Sequence, residues 1–524
     1  MVETPSSPRA ASGILRWALI LVAVLPFQLG LWHHLVTAGS SATGFLGYDS
    51  AYYAANGREV FEHGNGFAYS NPYDPDPAAP VIYFHWFSWV LGFGIKVLHL
   101  DPGLLYAGLG VITALVGSAL TLRLVEIMLP DPRGRNALFL LTMWGGGALC
   151  LGAMIKSLAA GLPAGSNLFA FDEAYGWWMP NWGRNFCLAN EAVYHVVVAA
   201  TWIAVLRGRG TLALVGAGAL AATHPFSGAQ HLAIVGAWLG FLAWRERSPT
   251  AIARAGAAGL LLALFAGYYF WFLNQFPAHR ELQTSWVLGW RVSWPFLLLS
   301  TGPVVLLALL QLRAVQWRLT DRERFLLLAG GLTLLLMKHD WFIAPRQPLH
   351  FVRGYNWLPF WLIALPLLQS WGAKLTARPR PALVALTVLG TALLVSDNAE
   401  FITREWAEGE SANHHLDREQ REMFAWMDAA KLDGVLLCAD PHLSYLSATY
   451  TGVRPYYGHI ANTPNVQRRW REVSAWQQSG ATGPWIDSIN YVLIERQHPP
   501  AGFNAALWHE LHGNGGYVLL GRGP

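Results

Sequence analysis

A single apolar stretch covers residues 211–244, bounded by Arg209 on one side and by Arg245 and Arg247 on the other. It exceeds the ~20 apolar residues that cross a ~30 Å hydrocarbon core. Basic residues collect on the inner side of a membrane, so a stretch that is basic at both ends leaves and returns. Pro225 breaks its middle, which predicts two short helices meeting at Thr223-His224-Pro225-Phe226. Composition agrees. Of 524 residues, 53% are hydrophobic and 13% charged, against roughly a quarter charged in soluble domains. The expected class is an α-helical polytopic membrane protein. The net charge of +4 bears chiefly on orientation, and nothing resembles the basic surface of a nucleic-acid binder.

The basic loops predict a complete path with the N-terminus inside. An uncleaved first helix runs outward over about 14–36, followed by a long first outer loop, 37–102, whose apolar part (80–100) lies on or dips into the outer surface. Crossings follow at about 103–129, 136–156 and 189–206, with a second outer loop at 157–188. After the 211–244 pair, further crossings fit at about 252–273, 292–313, 325–343, 355–372 and 381–396. That makes about eleven spans and puts every predicted inner loop on basic residues. Residues 1–396 thus read as the membrane domain. From about Asp397 the composition changes, and 397–524 reads as a small outer α/β domain. Its strands are expected at 434–439, 491–495 and 516–520, and its helices at 417–431, 465–478 and 501–512.

The chemistry concentrates outside. The stretch Gly44-Phe-Leu-Gly-Tyr-Asp-Ser-Ala-Tyr-Tyr-Ala54 puts the carboxylate of Asp49 just past the outer surface, among Tyr48, Tyr52, Tyr53, Asn56, Arg58, Glu59 and His63. An acid at the mouth of a many-helix bundle is a candidate general base. A basic segment, 338–353, also falls on the outer side. In it Lys338, Arg346, His350 and Arg353 suit a phosphate, and the last three would share one face if the segment were helical, although Pro348 opposes that. Headgroup contact is the alternative. His224 lies at membrane depth beside Pro225 and faces either a cavity or a freed carbonyl. Glu191 and His195, spaced i,i+4, could hold a metal with His224 or His231. The second outer loop carries Asp172-Glu173 and Tyr175-Gly-Trp-Trp-Met179, which offer either a cation and sugar site or a solvated loop with an aromatic belt. Arg123 and Glu126 are expected to pair within a helix. His414 and His415 read as exposed helix residues. A disulfide between Cys187 and Cys438 is one use of two of the three cysteines.

The first-loop stretch, the segment Gly64-Asn-Gly-Phe-Ala-Tyr-Ser-Asn-Pro-Tyr73, the tail segment Tyr450-Thr-Gly-Val-Arg-Pro-Tyr-Tyr-Gly-His-Ile-Ala-Asn-Thr-Pro464 and the 223–226 junction resemble bacterial members of the GT-C class. These are membrane glycosyltransferases that use polyprenyl-phosphate-linked sugars. The resemblance implies an inverting transfer to an extracytoplasmic glycan, lipid or protein, with Asp49 as base. It implies a donor-phosphate site in the region of Arg346 to Arg353, which holds His350; Lys338 is expected beside it, and Tyr52, Tyr53, His63, His85, Asp172, Glu173, Arg184 and His224 are the residues expected to line the substrate pocket. It also implies a multi-pass protein of the bacterial inner membrane, N-terminus cytoplasmic and C-terminus extracytoplasmic. Two departures stand out. Trp177-Trp178 is followed by Met179, where oligosaccharyltransferases have Asp, and the second-loop acids are adjacent rather than spaced as in metal-using members. No cofactor is therefore implied, and a divalent metal stays open. Two other readings also stay open: a lipid or glycan transporter or flippase, and a non-catalytic envelope protein that binds glycans.

Overall fold

The computed structural model describes residues 8–172, 179–285, 291–377, 380–407, 413–501, 503 and 507–523. Among these, seven helices are long and apolar enough to cross a membrane: Gly13–Thr37, Pro102–Met128, Ala189–Leu206, Pro225–Glu246, Pro249–Gln275, Trp294–Ala314 and Pro381–Ala407. The pair Arg135–Trp144 and Leu149–Ala159, bent by 56°, makes an eighth if counted as one span. The chain is a helical membrane protein. Shorter or less apolar helices, Gly210–Ala221, Asp321–Met337 and Leu358–Ala377, stand at the remaining places where crossings are expected.

The chain divides into two compact units. The first comprises Met1–Gly30, Gly110–Phe265 and Leu288–Glu408 and holds most of the apolar helices. Its sharpest bend follows from Gly145-Gly146-Gly147, residues with poor helix propensity. The helix restarts at Leu149 because the buried carboxylate of Asp397 accepts from the Gly147, Leu149 and Cys150 amides at 2.9, 3.2 and 2.8 Å, the orphan donors of a helix start. Asp397, the residue at which the composition changes, is therefore part of this unit's core. The 211–244 stretch forms two helices, as Pro225 dictates: Gly210–Ala221 ends, and Pro225–Glu246 begins with proline in its first turn and His224 as its cap. Arg123 and Glu126 pair at 2.7 Å.

The second unit comprises Leu31–Leu109, Ala266–Val287 and Gly409–Pro524, so the first-loop segment and the tail fold together. In the first-loop part, the helices Ser50–Glu62 and Trp86–Lys96 cross at Gly57 and Gly92, where a Cβ on either would run into the other's backbone. The tail contributes a five-stranded sheet: β1 (Gly434–Cys438), β2 (Val453–Pro455), β3 (Tyr491–Glu495), β4 (Trp508–Gly513) and β5 (Tyr517–Arg522), in the order β2-β1-β3-β5-β4. β1 is parallel to β2 and β3, while β5 is antiparallel to β3 and β4. Val435, Leu437, Val473, Trp476, Val492 and Ile494 form part of its core, helped by the helices Arg418–Ala429, Pro441–Tyr450 and Val466–Ser479.

Two expectations fail in this unit. The helix placed over 501–512 is replaced, in its described part, by strand β4. A short turn before Tyr517 lets 508–513 pair with β5 in a hairpin with a register shift at Glu510/His512, and that pairing outweighs the weak local helix pattern. His414 and His415 are not exposed helix residues. They lie in an extended segment, with His414 at 3% exposure against Phe45, His442 and Tyr445.

Candidate functional site

Two constellations bear on chemistry, one in each unit. In the first unit, Arg353 sits on a strained turn. Its φ is +37°, and Gly354 follows at +71°, where a Cβ would come within 2.8 Å of the Trp182 backbone. A non-glycine residue held in this left-handed region costs about 1–3 kcal/mol and persists only where its surroundings fix it. The carbonyl of Arg353 lies 2.8 Å from His195 Nε2, which is one such anchor. The guanidinium is spread over three partners. Nη1 is paired with Glu191 Oε1, Nη2 faces His224 Nε2 at 3.3 Å and His350 Nδ1 at 3.1 Å, and Nε donates to the His350 carbonyl at 3.3 Å.

The tautomer of His224 follows from its place in the chain. As the cap of Pro225–Glu246 it accepts the Ser227 amide on Nδ1 at 3.1 Å, so its proton is on Nε2. Nε2–H and the Arg353 Nη2 hydrogens are then two donors facing each other, which cannot satisfy one another. His350, which burial holds well below the ordinary imidazole range, is neutral. It accepts from Arg353 on Nδ1 and carries its own proton on Nε2. The pair of facing donors, His224 Nε2–H and Arg353 Nη2, suits an anionic oxygen. Glu191 offsets one positive charge, and its Oε2 is buried with no hydrogen-bond partner among the described residues.

The other basic-segment residues do not join this cluster. Lys338 is buried, donating to the Val292 carbonyl at 2.9 Å and pairing with Asp340 at 3.1 Å, with Trp294 and Trp341 rings around it. Arg346 is exposed, and its backbone amide donates to His339 Nε2 at 2.8 Å. The shared helical face is not formed. Pro348–Phe351 is a short 3-10 turn preceded by irregular backbone, as Pro348 requires. Asp172 and Arg184 pair at 2.7 Å with both side chains almost wholly buried, and Arg184 also reaches Asn398 and the Asp397 carbonyl. Burial pushes the Asp172 carboxyl up, against the pull of Arg184. Glu173 and the aromatic run at 175–178 lie outside the described residues.

No group of three or more His, Cys, Asp or Glu among the described residues could hold a metal ion. The expected set is committed elsewhere. Glu191 takes Arg353, His195 faces the Glu191 and Arg353 carbonyls, and His231 Nδ1 donates to the Ser227 carbonyl at 2.9 Å. The disulfide is likewise not formed. Cys187 and Cys438 are free thiols; Cys187 sits against Met179, and Cys438 is buried in β1.

In the second unit, Asp49 immediately precedes the Ser50–Glu62 helix, with its side chain 71% exposed, and its Oδ1 lies 3.1 Å from Nε2 of His459, which is buried. His459 Nδ1 accepts from the Ala461 amide at 3.0 Å, so Nε2 carries the proton and donates to Asp49. Tyr48, Tyr52, Tyr73 and Tyr445 surround the His459 ring, with centroids 5.0–5.6 Å away. Of the other expected pocket residues, Tyr53 lies with its ring tilted against His85, which caps Trp86–Lys96 through the Ser88 amide at 3.1 Å. His63 is held by Glu59 at 2.8 Å and Asp433 at 3.0 Å. Glu59 in turn binds Ser70 and, at 2.5 Å, Arg454. Burial favours the neutral Glu59 carboxyl, but its His63 and Arg454 partners outweigh that and hold it below its ordinary value. The Glu59 bond raises His63 in return. His459 was not singled out in the sequence; the only signal for it was its place in the tail segment 450–464.

No family model matches the chain, and no curated protein matches it in sequence. Solved structures similar to it include the Archaeoglobus fulgidus oligosaccharyltransferase in its apo form, at 11% identity over 92% of this chain and 69% of that one, with a TM-score of 0.48. ArnT from Cupriavidus metallidurans is similar in its apo state, at 12% identity over 98% of this chain and 100% of that one, with a TM-score of 0.46. In its form bound to undecaprenyl phosphate, ArnT is 13% identical over 97% of this chain and 98% of that one, again with a TM-score of 0.46. No residue's role passes across with these likenesses.

Proposed function

We propose that this chain is an inverting membrane glycosyltransferase of the GT-C class that transfers a sugar from a polyprenyl-phosphate carrier to an extracytoplasmic acceptor. The observation that carries the reading is the donor cluster of Arg353, His224 and His350. A guanidinium set beside two imidazoles in a unit of apolar helices suits an anionic oxygen, and a lipid-linked phosphate is the anion that such a unit would meet. In this reading Asp49 accepts the proton of an acceptor hydroxyl as its oxygen attacks the anomeric carbon. The bond from that carbon to the phosphate oxygen breaks, and the electron pair leaves on polyprenyl phosphate. Arg353, with the His224 N–H beside it, stabilises that growing charge. Eleven crossings, with the N-terminus cytoplasmic and the C-terminus extracytoplasmic, belong to the same proposal.

The test is genetic and chemical together. Deleting the gene should remove one class of envelope glycoconjugate, found by mass spectrometry. The intact chain should restore it, whereas Asp49→Asn should not, although that variant inserts and melts normally. Neutralising an exposed carboxylate is expected to cost little stability, within about 0.5 kcal/mol. Restoration by Asp49→Asn removes Asp49 from the base role.

A further inference from the structure

We propose that His459, supplied by the tail, is the positioning residue for Asp49, and that the tail as a whole clamps the residues that carry the base. This deepens the reading of Asp49 as a general base and rests on it. Asp is among the best helix-capping residues, because its carboxylate accepts the orphan amides of the first turn. Asp49 is the residue before the Ser50–Glu62 helix, yet its side chain makes no capping bond. The carboxylate is turned away from local use and bound to His459 Nε2 at 3.1 Å instead. Ala461 and Asn462 fix the other ring nitrogen, at 3.0 and 3.1 Å, so the imidazole can present only its N–H to Asp49. His459 is buried while Asp49 is 71% exposed, so one carboxylate oxygen is held by the protein and the group as a whole stays open to solvent.

The residue before Asp49 is gripped from several sides by the same tail. The Tyr48 carbonyl accepts from Tyr445 Oη at 2.7 Å and from His414 Nε2 at 3.1 Å, and the Tyr48 hydroxyl accepts the Ile460 amide at 3.1 Å. The Gly47 amide donates to Asn413 Oδ1 at 3.1 Å. A general base has to stay within a few tenths of an ångström of its proton, and a misplacement of ~1 Å costs about a hundredfold in rate. A backbone clamp combined with one aimed N–H meets that need without removing the carboxylate from the acceptor's side.

The experiment uses the full-length protein in detergent. It measures consumption of a radiolabelled polyprenyl-phosphate sugar, with envelope extract as acceptor, alongside thermal unfolding. His459→Gln keeps an N–H that can reach Asp49, whereas His459→Phe keeps the ring in its tyrosine surroundings and loses the N–H. If His459 positions the base, Phe lowers kcat by ten- to a hundredfold with the donor KM within twofold, and Gln recovers most of the activity. A purely structural role predicts the reverse order, with Phe recovering and Gln failing. Recovery by Phe, or failure of Gln in a protein that unfolds at the wild-type temperature, overturns the proposal. An inactive Asp49→Asn beside unchanged His459 variants overturns the positioning role alone. An active Asp49→Asn overturns the base assignment itself, and this role with it.

Discussion

The donor-phosphate assignment makes its sharpest prediction at Arg353. The guanidinium serves three directions together: Glu191 through Nη1, the two imidazoles through Nη2, and the His350 carbonyl through Nε. A lysine ammonium is a single point charge and cannot keep that fork. Arg353→Lys should therefore keep the ion pair with Glu191 and lose the contact aimed at the anion. Loss of one charge-assisted hydrogen bond is worth about 1.5–3 kcal/mol, or roughly ten- to a hundredfold in donor KM. Arg353→Ala brings a second cost, because it leaves the Glu191 carboxylate buried and unpaired, a change that destabilises proteins by about 3–5 kcal/mol. The double variant Glu191→Gln/Arg353→Ala removes that uncompensated charge, so it should regain thermal stability without regaining donor use. Titration of the lipid-phosphate sugar against initial rate, with unfolding temperatures measured in parallel, separates the two effects. Unchanged donor KM in Arg353→Lys refutes the phosphate site and favours a purely structural role in tying the 348–354 turn to the helix that bears Glu191.

Two further outcomes follow from the topology and the buried ion pairs. Reporter fusions after Arg209 and after Arg247 should read cytoplasmic, and a fusion at Pro524 extracytoplasmic; an outside reading at the first two defeats the positive-inside path. The Glu59–His63 pair should give the full chain a stability optimum in mildly acidic solution. His63 is raised, so its contribution is complete below about 6.5 and fades as pH climbs through the higher folded-state value. Glu59 is lowered, so its contribution is complete above about 4.5 and is lost as pH falls through the lower folded-state value. His63→Gln should flatten the alkaline limb of unfolding temperature against pH, and an unaltered limb would show that another group sets it.

The helices were legible because hydropathy, proline and basic loops act locally. The 211–244 stretch splits at Pro225 as its composition requires. The cluster around Arg353 was legible only in part. His350 and Arg353 were marked by their place on the outer side, but the contact with Glu191 spans 162 residues and no local pattern reports it. Lys338 and Arg346 carried the same sequence signal and went elsewhere: Lys338 ends a helix and turns to the Val292 carbonyl, and Arg346 lies exposed in the irregular segment before Pro348. His414 and His459 were misjudged or missed for a related reason. In a segment without regular secondary structure, periodicity says nothing about burial, and both rings are buried by aromatic residues close in space but distant in the chain.

One local device was written in the sequence twice. His85-Trp-Phe-Ser88 and His224-Pro-Phe-Ser227 share the pattern His-x-Phe-Ser, and each starts a helix with histidine as the cap and the serine amide on Nδ1 at 3.1 Å. Histidine is an uncommon cap beside Ser, Thr, Asp and Asn. A capping imidazole spends one nitrogen on the helix and is left with an N–H whose direction the rigid ring fixes. At His224 that N–H faces the guanidinium of Arg353. At His85 the ring lies beside Tyr53 and Phe87. The same backbone logic thus delivers a fixed donor at both helix starts, and the proposed phosphate site uses the one that faces a guanidinium.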